Sequence, residues 1–240
     1  MRVLIACEFS GTVRRAFRDA GHDAWSCDIL PAEDGSEFHI QDDVLNHLCD
    51  GWDMMIAHPP CTYLANSGVR WLHEDITRWP KLFEAAAFFR KLLHAPIPLV
   101  IIENPIMHKY AATLIGQEPV QTVQPWMFGD NETKAVCLWV HRSNDILLTP
   151  HIRKKPDNVT ARVWRMAPGP ERQKERSRFF PGIAKALAEQ LTPTPEPLVE
   201  ALAEIERITW REHDGDELKC CKRALTDIRR IAAVSRKEGV

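Results

Sequence analysis

Two polar residues stand where apolar runs stop. Cys61 follows Pro59 and Pro60 just beyond the run Met54, Met55, Ile56, Ala57, and Glu103 closes the run at 99–102. Both runs read as buried parallel strands that deliver a polar residue at their C-terminal ends, the edge where open α/β sheets collect ligands. A cysteine in that place is a candidate nucleophile. Its thiol ordinarily titrates at about 8.5, and a strand-to-helix turn rich in backbone N–H groups lowers that value. The plainer role of a lone cysteine is a small buried hydrophobe, but two prolines stiffen the turn and expose the residue after them. Glu103, taken from water at a strand end, has its carboxyl pushed upward and is suited to hold or donate a proton. Asn104 beside it joins the candidate catalytic group. Capping or turn formation is the plainer role for that pair.

The elements that would position these groups alternate. Residues 2–7 read as a first strand, followed by a turn at Ser10 and Gly11 and a helix at 12–20 that Gly21 ends. A second strand at 23–27 closes on Asp28. A polar, acidic loop leads to Asp43, then a short helix at 44–49 and a strand at 52–57. Helical periodicity covers 72–93, interrupted at Pro80 and firm from 81 onward. A strand at 99–102, a helix at 108–115 and strands near 120–124 and 135–141 complete the series. This alternation predicts an α/β fold with a doubly wound, mostly parallel sheet. The turn at Ser10 and Gly11 would let a ligand approach the backbone and the helix N-terminus. Asp28, at the end of the second strand, is placed to accept hydrogen bonds from ribose hydroxyls, and Asp42 and Asp43 come where an adenine ring could be reached. A strand-turn-helix unit without any nucleotide is the plainer reading.

Beyond residue 149 the pattern changes. The stretch 149–180 is irregular and rich in proline and arginine, 182–190 is helical, and TPTPEP at 192–197 is a stiff break. Two amphipathic helices, 198–208 and 218–234, would form an appendage. The expected organisation is a catalytic domain over 1–192 and a helical appendage over 198–240, the latter either packed on the sheet or a surface for a protein partner.

Composition bounds the reading. The chain has 240 residues, a formal net charge of −2 and seven cysteines. An odd number of scattered cysteines fits free thiols in a reducing cytoplasm. Nothing approaches the length of a membrane span, no signal peptide is evident, and Cys220 and Cys221 lack the companions a metal site needs. Near-neutral charge gives no overall drive toward nucleic acid. Nevertheless, residues 151–180 hold nine Arg or Lys against three acids, an excess of six. Arg153, Lys154 and Lys155 could grip phosphates there, with Trp164 available to stack on a base. A solvated loop is the plainer reading.

The ordered succession FSG, Asp28, Asp43, PPC with SG, EN and QPWMFGDNETKAVCLWV resembles the cytosine-C5 DNA methyltransferase family, over roughly residues 1–141 with a weaker echo at 182–190. The resemblance implies S-adenosylmethionine as cofactor, with Phe9, Ser10, Gly11, Asp28, Asp43 and Pro59 around it. It implies that Cys61 attacks cytosine C6 while Glu103 contacts N3. Pro60, Ser67 and Lys134 fall with the substrate contacts. A base in a duplex would have to be flipped out of the stack. The chain departs from the family at several points. Gly11 is followed by Thr12, Val13 and Arg14 where further glycines are usual, Thr62 follows the cysteine, Pro105 follows EN, and the two arginines of the later motif become Lys134 and Val136. Only about 40 residues separate 140 from 182, where the family inserts a large DNA-reading region.

The implied activity is methyl transfer to C5 of cytosine in DNA by a small, divergent enzyme of bacterial or prophage type. The alternatives are modification of a free pyrimidine nucleotide or RNA, amino-group methylation through the PP-x-x-Y pattern at 59–63, and a decayed binding module. His58, in the place before the prolines, is a poor acceptor for the amino-group option.

Overall fold

The computed structural model describes residues 1–141, 148–167, 169 and 175–191. Seven strands form one sheet: β1 (Arg2–Ala6), β2 (Asp23–Asp28), β3 (His39–Gln41), β4 (Met54–Ala57), β5 (Leu99–Asn104), β6 (Gln121–Val123) and β7 (Val136–His141). The spatial order is β3-β2-β1-β4-β5-β7-β6. Every pairing from β3 to β5 is parallel, whereas β7 runs antiparallel to both β5 and β6. The order reverses between β1 and β4, so the crevice outside their C-terminal ends is the switch point where doubly wound sheets bind ligands. The α/β expectation is met.

Alternation along the strands builds two core layers. Val3 and Ile5 of β1 pack with Met54, Ile56, Val13 and Phe17 on one face, while Leu4 and Ala6 pack with Met55, Ala57, Leu82 and Phe89 on the other. The first face is covered by α1 (Thr12–Asp19) and α6 (Pro181–Gln190), the second by α3 (Arg78–Leu93) and α4 (Lys109–Ile115). The short helices α2 (Arg70–Glu74) and α5 (Arg162–Arg165) lie in the connections.

Four expectations about elements change. Pro80 does not interrupt α3; it sits in the first turn, where a missing N–H costs nothing because no intrahelical acceptor exists for it. The acidic loop contains β3, whose register on β2 (Ser26 with His39, Asp28 with Gln41) supplies the order its short sequence does not. The helix expected at 44–49 is a single 3-10 turn, Val44–Asn46. The irregular segment 149–180 contains α5. The break at 192–197 and the helices at 198–208 and 218–234 lie outside the described residues.

Candidate functional site

Cys61 and Glu103 reach the same corner of the sheet edge. β4 and β5 pair in parallel, Ala57 opposite Ile102, so the turn after β4 and the end of β5 leave the sheet side by side. Asn104 locks them together: its Nδ2 donates to the Pro59 carbonyl at 2.9 Å. The Cys61 carbonyl then accepts from the N–H groups of Leu64 and Ala65, which bends the chain back toward Ser67. His58 Nδ1 donates to Glu103 Oε2 at 3.4 Å, and the two side chains are each 9% exposed. Glu103 Oε1, His58 Nε2 and Asn104 Oδ1 are all buried with no partner among the described residues. A buried polar atom without a partner costs about 1–3 kcal/mol. Three of them fall at this one corner.

The electrostatics differ from what burial alone predicts. Burial pushes the Cys61 thiol up; the Lys134 and Arg176 cations pull it down and the Glu103 charge adds to the rise, leaving the thiol above its ordinary value. The lowered thiol expected at this turn is not found, because the site withholds water more strongly than its cations compensate. Glu103 is corrected in the opposite sense. Burial drives its carboxyl up, but the hydrogen bond from His58 and the positive charges of Lys134 and His58 outweigh that, so it lies below the ordinary glutamate range. Glu103 is therefore a carboxylate that accepts, not an acid that stores a proton.

A strap crosses this edge. Arg176 Nη2 donates to Ser67 Oγ at 3.3 Å, and Lys134 Nζ donates to the Arg176 carbonyl at 3.2 Å. Phe179 lies 4.6 Å, ring to ring, from His58, and Arg178 pairs with Glu33 at 2.6 Å. Residues 176–179 thus link the Cys61 turn to the loop after β2.

Across the switch point the polar groups are partnered. Glu8 Oε1 accepts from Val13 N–H at 2.6 Å and Oε2 from Arg14 N–H at 3.1 Å. The N-terminus of α1 therefore already holds an anion from its own chain, and the expectation that a ligand meets it directly is corrected. Arg14, fully buried, donates to Ser26 Oγ at 2.7 Å and to Asp34 Oδ2 at 2.5 Å. Gly11 takes a left-handed φ of +68°, and a Cβ there would meet the Arg14 guanidinium and the Asp34 carboxylate. Arg14 thus fills the space beside the turn, which explains a bulky residue where a glycine-rich turn would be open.

The remaining cofactor candidates line the same edge. Phe9 is half-buried and its carbonyl accepts from Glu33 N–H; Ser10 is buried, its hydroxyl near Glu8 and Thr12. Asp28 is half-buried at the end of β2, receives Leu30 N–H on Oδ1, and has its carboxyl raised chiefly by burial. Asp43 is exposed and caps the turn after β3 through Leu45 N–H. The carboxylates Asp28, Asp42 and Asp43 form an acidic rim over β2 and β3, a set of acceptors of which Asp42 already takes hydrogen bonds from Asp43 N–H, Asn46 and His47. Pro60 is exposed, as are Arg153, Lys154 and Lys155, and Trp164 falls on α5. Arg172 and Lys174 lie outside the described residues. Arg14 and Phe179 are not indicated by the sequence as site residues, and His58 enters it only as a poor acceptor at a strand end directly before the two prolines.

No known family profile matches the chain, and no curated protein is significantly similar to it. Among solved structures, it is similar to an E. coli protein described as a putative DNA modification methyltransferase encoded within a prophage, at 17% identity and a TM-score of 0.41, over 58% of this chain and 46% of that one. The chain therefore spans about half the length of that protein.

Proposed function

We propose that the protein transfers a methyl group from S-adenosylmethionine to C5 of cytosine in DNA, with Cys61 as nucleophile. The observation that carries this reading is the corner where Cys61, ionised Glu103 and Lys134 meet beside three unpartnered buried polar atoms. The order of motifs along the chain supports it independently. The acidic rim at Asp28, Asp42 and Asp43 fits the hydroxyls and the positive charge of S-adenosylmethionine, which when bound supplies an electrophilic methyl group.

The residues of the chain divide the work. Cys61 enters as thiolate, its proton having gone to water, and Sγ bonds to C6; the C5–C6 electron pair moves to C5. N3 takes a proton from water, and Glu103 accepts the hydrogen bond that N3–H then donates and stabilises that form. A bound cofactor would supply the methyl group to C5 and leave as the neutral thioether; C5 then loses its proton to water, the double bond re-forms, the C6–S bond breaks to return the thiolate, and N3 returns its proton to water. Lys134 and Arg176 favour the charged sulfur at the start and end of that cycle. Asn104, through Pro59, fixes where Cys61 stands. The basic stretch at 153–155 would hold phosphates without reading bases, which implies little sequence specificity.

The test is labelled methyl transfer to duplex DNA, single strands, RNA and free cytidine nucleotides, with nuclease digestion to identify the product. Expected are 5-methylcytosine from DNA and no product from C61S. Unchanged transfer by C61S would eliminate the mechanism, and N-methylated product would move the chemistry to the exocyclic amine.

A further inference from the structure

His58 takes no part in the covalent steps, yet it is closely enclosed by the site. It leaves the end of β4 with its backbone N–H on the Ala6 carbonyl, presents Nδ1 to Glu103 and packs its ring against Phe179. We propose that His58 is the positioning residue of this site: through Nδ1 it fixes one oxygen of Glu103 and leaves the other Glu103 oxygen to meet the ring N–H of the pyrimidine. This rests on the reading of the site as one that modifies cytosine.

Donors and acceptors dictate the chemistry. Glu103 Oε1 and His58 Nε2 are buried and unpartnered among the described residues. An ionised carboxylate only accepts, so Oε1 requires an N–H, which ring N3 presents once protonated. A carboxylate free to rotate offers either oxygen; held at Oε2 by His58, Glu103 keeps Oε1 for that N–H.

The charged and titratable groups facing Glu103 are His58 from the end of β4, Lys134 from the segment before β7, Cys61 from the turn and Cys137 on β7. If His58 is removed, Lys134 alone opposes the burial of the carboxyl, and Glu103 should titrate at higher pH.

The experiment reads Glu103 directly. Protein labelled with 13C at the glutamate carboxyls is titrated by NMR as wild type, H58L and H58N, with E103Q identifying the signal; H58Q replaces H58L if the latter does not fold. Asparagine places an N–H close to the position of Nδ1, whereas leucine places none and glutamine reaches toward Nε2. Expected are a Glu103 titration that moves up in H58L or H58Q and stays near wild type in H58N. In parallel, transfer to cytosine by H58L should fall about tenfold to hundredfold at neutral pH, its acid limb should move to higher pH, and H58N should recover most of the loss. An unmoved Glu103 titration in H58L and H58Q overturns the proposal, whether or not the protein transfers methyl groups. So does a loss of rate that is equal at every pH. A shifted titration in a wild-type protein inactive on every pyrimidine upholds the pair and refutes the cytosine reading instead.

Discussion

The two halves of the sheet edge treat buried polar groups in opposite ways. Over β1 and β2, Glu8 satisfies the first N–H groups of α1, and Arg14 is divided between Ser26 and Asp34. Over β4 and β5, atoms of His58, Glu103 and Asn104 are buried without partners among the described residues. Both halves offset the charge they take out of water, Arg14 through Asp34 in the first and Glu103 through His58 and Lys134 in the second. The first half is scaffold with an acidic rim, and the second keeps polar atoms without partners among the described residues. The strap from Ser67 to Glu33 spans both.

Substitutions should separate the halves. The largest effect expected is from C61A, which should lower methyl transfer at least about a thousandfold, as loss of a nucleophile does. Cofactor affinity and melting temperature should not change; a matching loss of cofactor binding would show that the halves are not independent. D34N leaves the Arg14 guanidinium buried without its counter-charge and should cost about 3 kcal/mol of folding free energy, read by urea unfolding. Burial raises the Asp34 carboxyl, but its bonds from Arg14 and Arg15 bring it down to about 2. Its contribution is then fully present above the unfolded value of about 3.9 and is lost as pH falls toward 2, so D34N should flatten stability against pH in that window alone.

Smaller effects sharpen the same contrast. D28A should weaken cofactor binding by about 1–3 kcal/mol in titration calorimetry, with no change in the pH profile of transfer. Because the Cys61 thiol is held above its ordinary value, transfer should rise with pH through neutrality. K134M removes the first cation opposing that rise and should move the limb to higher pH still, a several-fold loss at neutral pH. The smallest effect is the triple change of Arg153, Lys154 and Lys155 to alanine. It should flatten the salt dependence of duplex binding, by a slope of about 0.9 for each phosphate no longer neutralised, and leave cofactor affinity as it was. An unchanged slope would make the segment a solvated loop.

How much of this is legible in the sequence depends on whether a residue's neighbours are local. The apolar runs of β4 and β5 announce themselves, and with them the corner where Cys61 and Glu103 emerge. β3 does not: His39–Gln41 has no apolar run, and its conformation comes from β2. Pro80 reads as a break because proline stops a helix from within, yet at the first turn it is harmless. The sequence misleads on the direction in which Glu103 titrates, because burial is visible in a hydrophobic run whereas a histidine 45 positions away is not. Arg14 looks like a surface residue until Ser26 and Asp34 fold around it. Within the basic stretch, charge counting also misleads, since Arg176 and Arg178 are occupied by Ser67 and Glu33 while Arg153, Lys154 and Lys155 stay exposed.

The antiparallel β7 has a kinetic corollary. Among the described strands, β6 touches the sheet only through β7, which comes after it in the chain, so β6 has no partner until β7 has been made. The pair is local, Val123 opposite Val136, and an antiparallel ribbon of that span closes far faster than the parallel crossovers that join β1, β2 and β4. The ribbon is therefore expected to assemble early and to wait for β5, docking as a unit when Asn104 meets Cys137. Lys134 travels with that ribbon. A refolding chain would then bring the Lys134 cation to the Cys61 thiol only when that ribbon docks on β5.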